Sequence, residues 1–129
     1  MEIGMGIHGE PGVRRGALQP ADAIADQLLT QIAADLSLTE GDRVAVLING
    51  LGATPREELL IVYRYAHRWL GRKKITPAHV NVGELATSLE MASMSISILN
   101  LDDELERLLL APAYSPFYFQ RPERARGSR

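Results

Sequence analysis

At 129 residues the chain is one ordinary domain, and its 46% apolar and 23% charged side chains exclude disorder, collagen-like structure and a coiled coil. The absence of cysteine excludes disulfides, thiolate metal sites and cysteine nucleophiles together, as a reducing compartment permits. The formal charge is −2, but residues 1–120 carry 10 basic and 15 acidic side chains, and an acidic body argues against nucleic acid as a partner.

From Met1 onward, no basic region precedes an apolar stretch and no apolar run approaches the ~18 residues of a span, so neither a signal peptide nor a membrane segment is expected and the reading is cytoplasmic. Ile3, Met5 and Ile7 alternate with small or polar residues, which predicts a half-buried strand over residues 2–7. His8-Gly9-Glu10-Pro11-Gly12 then reads as a sharp loop. From Pro20 the period changes to 3.6: Ala21, Ile24, Ala25, Leu28, Leu29, Ile32, Ala33 and Leu36 form one stripe, which predicts a helix over 20–36 that faces the core.

Val44-Ala45-Val46-Leu47-Ile48 is apolar on both faces, as suits a central strand over 43–48 covered by helices on both sides. Thr54 with Glu57 reads as a capping box, with Pro55 in the first turn of a helix over 55–70 that Gly71 stops. Residues 75–82 predict a strand with an edge or bend at Pro77. Residues 83–91 read as a turn, with one helical turn allowed after Thr87, and residues 93–99 as an alternating strand. Asp102 and Asp103 start a short helix through Leu110, and Pro112 and Pro116 end regular structure. The expected fold is α/β: a single domain with a layered sheet of four or more strands and packed helices.

The candidate chemistry is sparse. His67 lies mid-helix and His79 follows Pro77, and both read as partly exposed side chains. His8 stands at a strand end between Gly6 and Gly9, which leave room for a small molecule at the ring, although such a histidine also serves as a turn cap. No second ligand at metal-binding spacing accompanies a histidine. The loop over residues 50–54 has two readings, an anion cradle on backbone N–H groups or a tight turn leading to a helix cap. Asp102-Asp103-Glu104 likewise reads as a cation site or as the charged start of a helix.

Four ordered blocks are more specific. Glu2-Ile3-Gly4-Met5-Gly6-Ile7-His8-Gly9-Glu10-Pro11-Gly12, Val44 to Pro55, Thr87-Ser88-Leu89-Glu90-Met91-Ala92 and Leu101-Asp102-Asp103-Glu104-Leu105 resemble, in order, the C-terminal half of the dihydroxyacetone kinase substrate-binding domain. The resemblance covers residues 1–117, leaving 118–129 as a disordered Arg-rich tail or linker. It implies a cytoplasmic, usually homodimeric phosphotransferase in which His8 holds dihydroxyacetone covalently as a hemiaminal and Gly9 lines the substrate. ATP and magnesium are then expected on a partner domain or subunit, with no cofactor bound by this chain and no membrane or nucleic-acid partner.

The chain departs from the family pattern in several places. The family's preceding half supplies a general base, a second histidine and further substrate contacts; here only seven residues precede His8, so a split subunit, a fragment or a truncated product is expected. Ser93 replaces a usual glycine, and Glu84-Leu85 replaces a usual asparagine and aromatic pair. The alternative reading is a dihydroxyacetone-binding sensor or coactivator module, or an inactive fragment.

Overall fold

The computed structural model describes residues 1–86, 88 and 90–121. The apolar run after Asp42 becomes β3, Arg43–Gly50, and its burial alternates, with Val44, Val46 and Ile48 buried. Two helices lie on that face. The first, α1, is Ala21–Asp35 and contributes Ala25 and Leu29; the second, α2, is Arg56–Arg72 and contributes Leu59, Val62, Ala66, Trp69 and Leu70. Leu29, Leu59 and Leu70 are each 0% exposed, and full burial of a leucine stabilises by about 1.5–3 kcal/mol relative to water.

The strand β4, Thr76–Gly83, lies parallel to β3 with α2 as the crossover, and β5, Met94–Leu101, lies antiparallel on the other side, giving the order β4-β3-β5. Layering of helices on a sheet is thus as expected, but this sheet has three strands, not four or more. The opposite face is also not covered as the apolar run implied: Ala45, Leu47, His79 and Asn81 are half-buried and Leu99 is 46% exposed. Pro77 acts as read from the sequence. It sits on a strand bonded to β3 alone among the described residues, and the register slips beside it, where Val44 faces Pro77 and Ala45 faces His79.

The missing fourth strand is the N-terminal one. Only Glu2–Ile3 is extended (β1), and it pairs with Arg14–Arg15 (β2) in a separate hairpin. Gly4 at φ +77 ends the strand, and Met5 and Ile7, 40% and 38% exposed, run on as loop rather than as a half-buried ribbon. The α2 boundaries also moved. Pro55 is the N-cap, and the Thr54 hydroxyl donates to the Ser93 carbonyl at 2.8 Å, so the capping box does not form. Gly71 lies inside the helix, which ends where Lys74 takes φ +56.

Asp102 caps α3, Asp103–Leu109, by accepting from Leu105 N–H at 2.7 Å. After Pro112 the chain forms a further hairpin with Pro116 in its turn, β6 Ala113–Ser115 with β7 Tyr118–Gln120, tied to the end of α3 because the Gln120 amide donates to the Leu109 and Ala111 carbonyls at 2.6 and 2.7 Å. Tyr118–Gln120 are thus strand and not tail, Ser88, Glu90 and Met91 form no helical turn after Thr87, and the disorder expected over 122–129 falls outside the described residues. Among the described residues no helix is long and apolar enough to cross a membrane.

Candidate functional site

The N-terminal hairpin exists to hold a tight loop. Gly6 N–H donates to the Glu10 carbonyl at 3.1 Å and Gly9 N–H to the Gly6 carbonyl at 3.0 Å, which closes residues 6–10 into a turn with His8 at its tip. Gly9 takes φ +87 there. The His8 side chain is 85% exposed, with its backbone N–H donating to a Glu10 carboxylate oxygen at 3.3 Å. Below the turn, Val13 N–H donates to Ile3 O at 2.9 Å and Gly16 N–H to Met1 O at 3.0 Å.

Glu2 is the clamp of this hairpin. Its two carboxylate oxygens accept from Gly12 N–H at 2.7 Å and from Arg15 Nε at 2.9 Å. The Gly12 bond lowers the Glu2 carboxyl below the ordinary carboxylate range; burial opposes that shift and Arg15 reinforces it. A depressed folded-state value means that the carboxylate stabilises the hairpin above the unfolded value of about 4.3 and that this contribution is lost as pH falls through the folded one. Amide exchange at Gly12, corrected for its intrinsic rate, should therefore accelerate in wild type on acidification through that window. In Glu2→Gln it should show no such step, and equal profiles in the two proteins would contradict the clamp.

An open apolar groove of about 610 Å³ runs beside the hairpin, lined by Ile3, Met5, Ile7, Leu28, Leu51 and Ile61 among others. Ile24 and Leu28 of the predicted α1 stripe line this groove and are only half-buried. His8 does not line it, and its ring faces solvent. His67 is exposed on α2, 6.0 Å from Tyr63 between ring centres, and the His79 Nε2 lies 3.0 Å from the Asn81 amide on β4. The three histidines thus stand on separate elements, each alone among the described histidines.

The loop over residues 50–54 is a turn. Leu51 N–H donates to Ser93 O at 3.1 Å and Ala53 N–H to Met91 O at 3.2 Å, so these donors face the chain and not an anion. Gly52 has φ +108, and an added Cβ would stand 2.5 Å from the Ser88 carbonyl, so only glycine fits. In the acidic cluster Asp102 is a cap, and Asp103 pairs with Arg43. A Glu106 oxygen also lies 3.0 Å from Arg43 but out of line for a hydrogen bond, so that contact is coulombic.

Two residues of the site lie within the ordered blocks without standing out in the sequence as site residues. Asn49, 2% exposed at the C-terminal end of β3, accepts from Leu85 and Ala86 N–H at 2.8 and 2.9 Å and donates to Gly50 and Ala86 carbonyls at 2.9 and 2.6 Å. It fastens the loop after β4 to the rim of the groove. Glu2 looks like an ordinary N-terminal charge. The one available signal for Asn49 is a polar side chain closing an apolar run, since a buried amide must find partners.

The profile of the Dak1 domain matches residues 1–117. The chain is 44% identical over 118 residues to the dihydroxyacetone-binding subunit DhaK of a PTS-dependent dihydroxyacetone kinase from Listeria innocua, covering 92% of this chain and 36% of that protein. A solved structure concerned with regulation of the dha operon of Lactococcus lactis superposes with a TM-score of 0.84 at 27% identity, over 92% of this chain and 38% of that one. The dihydroxyacetone kinase of C. freundii, solved with AMP-PNP and Mg2+, superposes with a TM-score of 0.78 at 28% identity, over 95% of this chain and 22% of that one. The chain therefore spans about a third of the length of the Listeria relative, 36%.

Proposed function

The chain belongs to the Dak1 domain family, and from that premise we propose that it is the substrate-binding part of a dihydroxyacetone kinase, with His8 as the residue that holds dihydroxyacetone. The observation that carries the reading is the His8 turn itself, a histidine presented to solvent on a loop closed by the Gly6 and Gly9 bonds. A neutral imidazole is a nucleophile. One ring nitrogen donates its lone pair to the carbonyl carbon, the carbonyl π pair moves to oxygen, and that oxygen takes a proton. The product is a hemiaminal, with the proton of the other ring nitrogen available to leave to water. Gly9 leaves the approach to the ring free of a side chain. The covalent link selects ketones and aldehydes over glycerol, which has no carbonyl, and fixes a hydroxyl for in-line phosphoryl transfer.

The phosphoryl donor in this reading, ATP with magnesium, belongs to a partner domain or subunit, consistent with the inward-facing donors of the 50–54 turn. The other partner is the preceding half of the family's domain, and the setting is cytoplasmic. The test is native mass spectrometry of the chain with dihydroxyacetone and with glycerol. The expected result is a reversible gain of one dihydroxyacetone and no gain from glycerol; equal binding of both, or of neither, overturns the reading.

A second reading is a non-catalytic dihydroxyacetone-binding sensor, favoured by the likeness to the structure concerned with operon regulation. It keeps His8 and dispenses with phosphoryl transfer. Turnover in the presence of the nucleotide-bearing subunit separates the two.

Self-association belongs to the same proposal. Leu60 and Ile61 of α2 are 47% and 46% exposed, and the outer edges of β4 and β5 are unpaired among the described residues. Sedimentation should therefore show a dimer at micromolar concentrations. A monomer across that range would count against it.

A further inference from the structure

We propose that Glu10 is a positioning residue for His8: its carboxylate keeps the ring proton on Nδ1 and so leaves the Nε2 lone pair free to attack. The inference rests on His8 as the covalent residue, but the proton's location can be read without any substrate. Glu10 lies inside the turn it helps to close. Its carbonyl accepts from Gly6 N–H at 3.1 Å, one carboxylate oxygen accepts from His8 N–H at 3.3 Å, and the other stands 3.8 Å from His8 Nδ1. A Cβ built on Gly6 would fall 1.8 Å from the first oxygen, so the carboxylate occupies the space that the absent side chain leaves.

At 3.8 Å the second oxygen is beyond hydrogen-bond length, so the carboxylate acts on the ring through its charge. The chemistry of the pair is one-sided. An ionised carboxylate accepts a bond from Nδ1–H but is repelled by the lone pair of a bare Nδ1, so it favours the tautomer with the proton on Nδ1. In that tautomer the outer nitrogen, Nε2, carries the lone pair. As Nε2 forms the C–N bond, the ring becomes cationic until Nδ1–H departs, and that charge develops beside the Glu10 carboxylate. Both effects favour attack: one places the nucleophile outward and the other stabilises the cationic species that forms before Nδ1–H departs.

The test is long-range proton–nitrogen NMR of the His8 ring in the full chain, at a pH where the ring is neutral, for wild type, Glu10→Gln and Glu10→Asp. Gln keeps an oxygen for His8 N–H and removes the charge; Asp keeps the charge. Wild type and Glu10→Asp should have the proton mainly on Nδ1. Glu10→Gln should move the population toward Nε2–H by roughly two- to fivefold, the size of an exposed charge contact, with a comparable slowing of dihydroxyacetone adduct formation. A loop that had merely lost its shape would disturb Asp as well as Gln, and that pattern overturns the proposal. Ring shifts unchanged in Glu10→Gln also overturn it. If the ring responds as expected but wild type takes up no dihydroxyacetone, the proton assignment stands and the covalent reading falls.

Discussion

His8→Ala should abolish the proposed dihydroxyacetone adduct, whereas His67→Ala and His79→Ala should keep it. The expectation is a complete loss, because the adduct is a single bond to one nitrogen and alanine offers no substitute. His67 packs against Tyr63 and His79 against Asn81, so neither is presented on an open turn like the His8 ring, 85% exposed. That exposure also makes the variant clean. A surface substitution away from caps and cores shifts stability by no more than about 0.5 kcal/mol, and the Gly6 and Gly9 bonds that shape the turn are backbone bonds that alanine leaves intact. The melting curve of His8→Ala should thus overlie wild type while its mass gain vanishes. An adduct that survives His8→Ala, or one lost in His67→Ala, would move the site elsewhere on the fold.

The elements that a period alone can specify were legible in the sequence: α1, α2 and β3 to β5 all lie where the apolar pattern changes from 2 to 3.6 and back. What the pattern misread was the meaning of alternation near glycine. Ile3, Met5 and Ile7 alternate as a strand does, but Gly4 at φ +77 and the turn bonds at Gly6 and Gly9 break the ribbon after two residues. The spacing of Thr54 to Glu57 fits the local rule for a cap. A long-range acceptor, the Ser93 carbonyl, took the hydroxyl instead. Pro112 and Pro116 predict the end of regular structure, yet a hairpin forms across Pro116 and Gln120 ties it back to α3. The last two misses share a cause, a side-chain hydrogen bond to a residue well beyond one helical turn, whereas the first is local, the backbone of Gly4 and the turn bonds within residues 6–10.

Asn49→Ala should lower the unfolding free energy by about 2–4 kcal/mol, because it leaves several partly buried backbone groups without partners and each such loss costs about 1–3 kcal/mol where water cannot reach. In a domain of this size that moves Tm by on the order of 10 °C. The amide is spent on four bonds, two received from Leu85 and Ala86 N–H and two given to Gly50 and Ala86 carbonyls. No other residue type supplies both halves at this length. Asn49→Asp keeps the two acceptors but sets an oxygen against the two carbonyls, so it should destabilise as well, and more so above the carboxyl's titration than below it. Asn49→Ala should also release the amides of Leu85 and Ala86 to exchange while those of β3 stay protected. The functional consequence follows from position, since Asn49 and Ala86 both line the groove beside the His8 hairpin. A variant that melts within about a degree of wild type, with Leu85 and Ala86 still protected, would mean that water replaces the amide without loss and that Asn49 is not what fastens this rim.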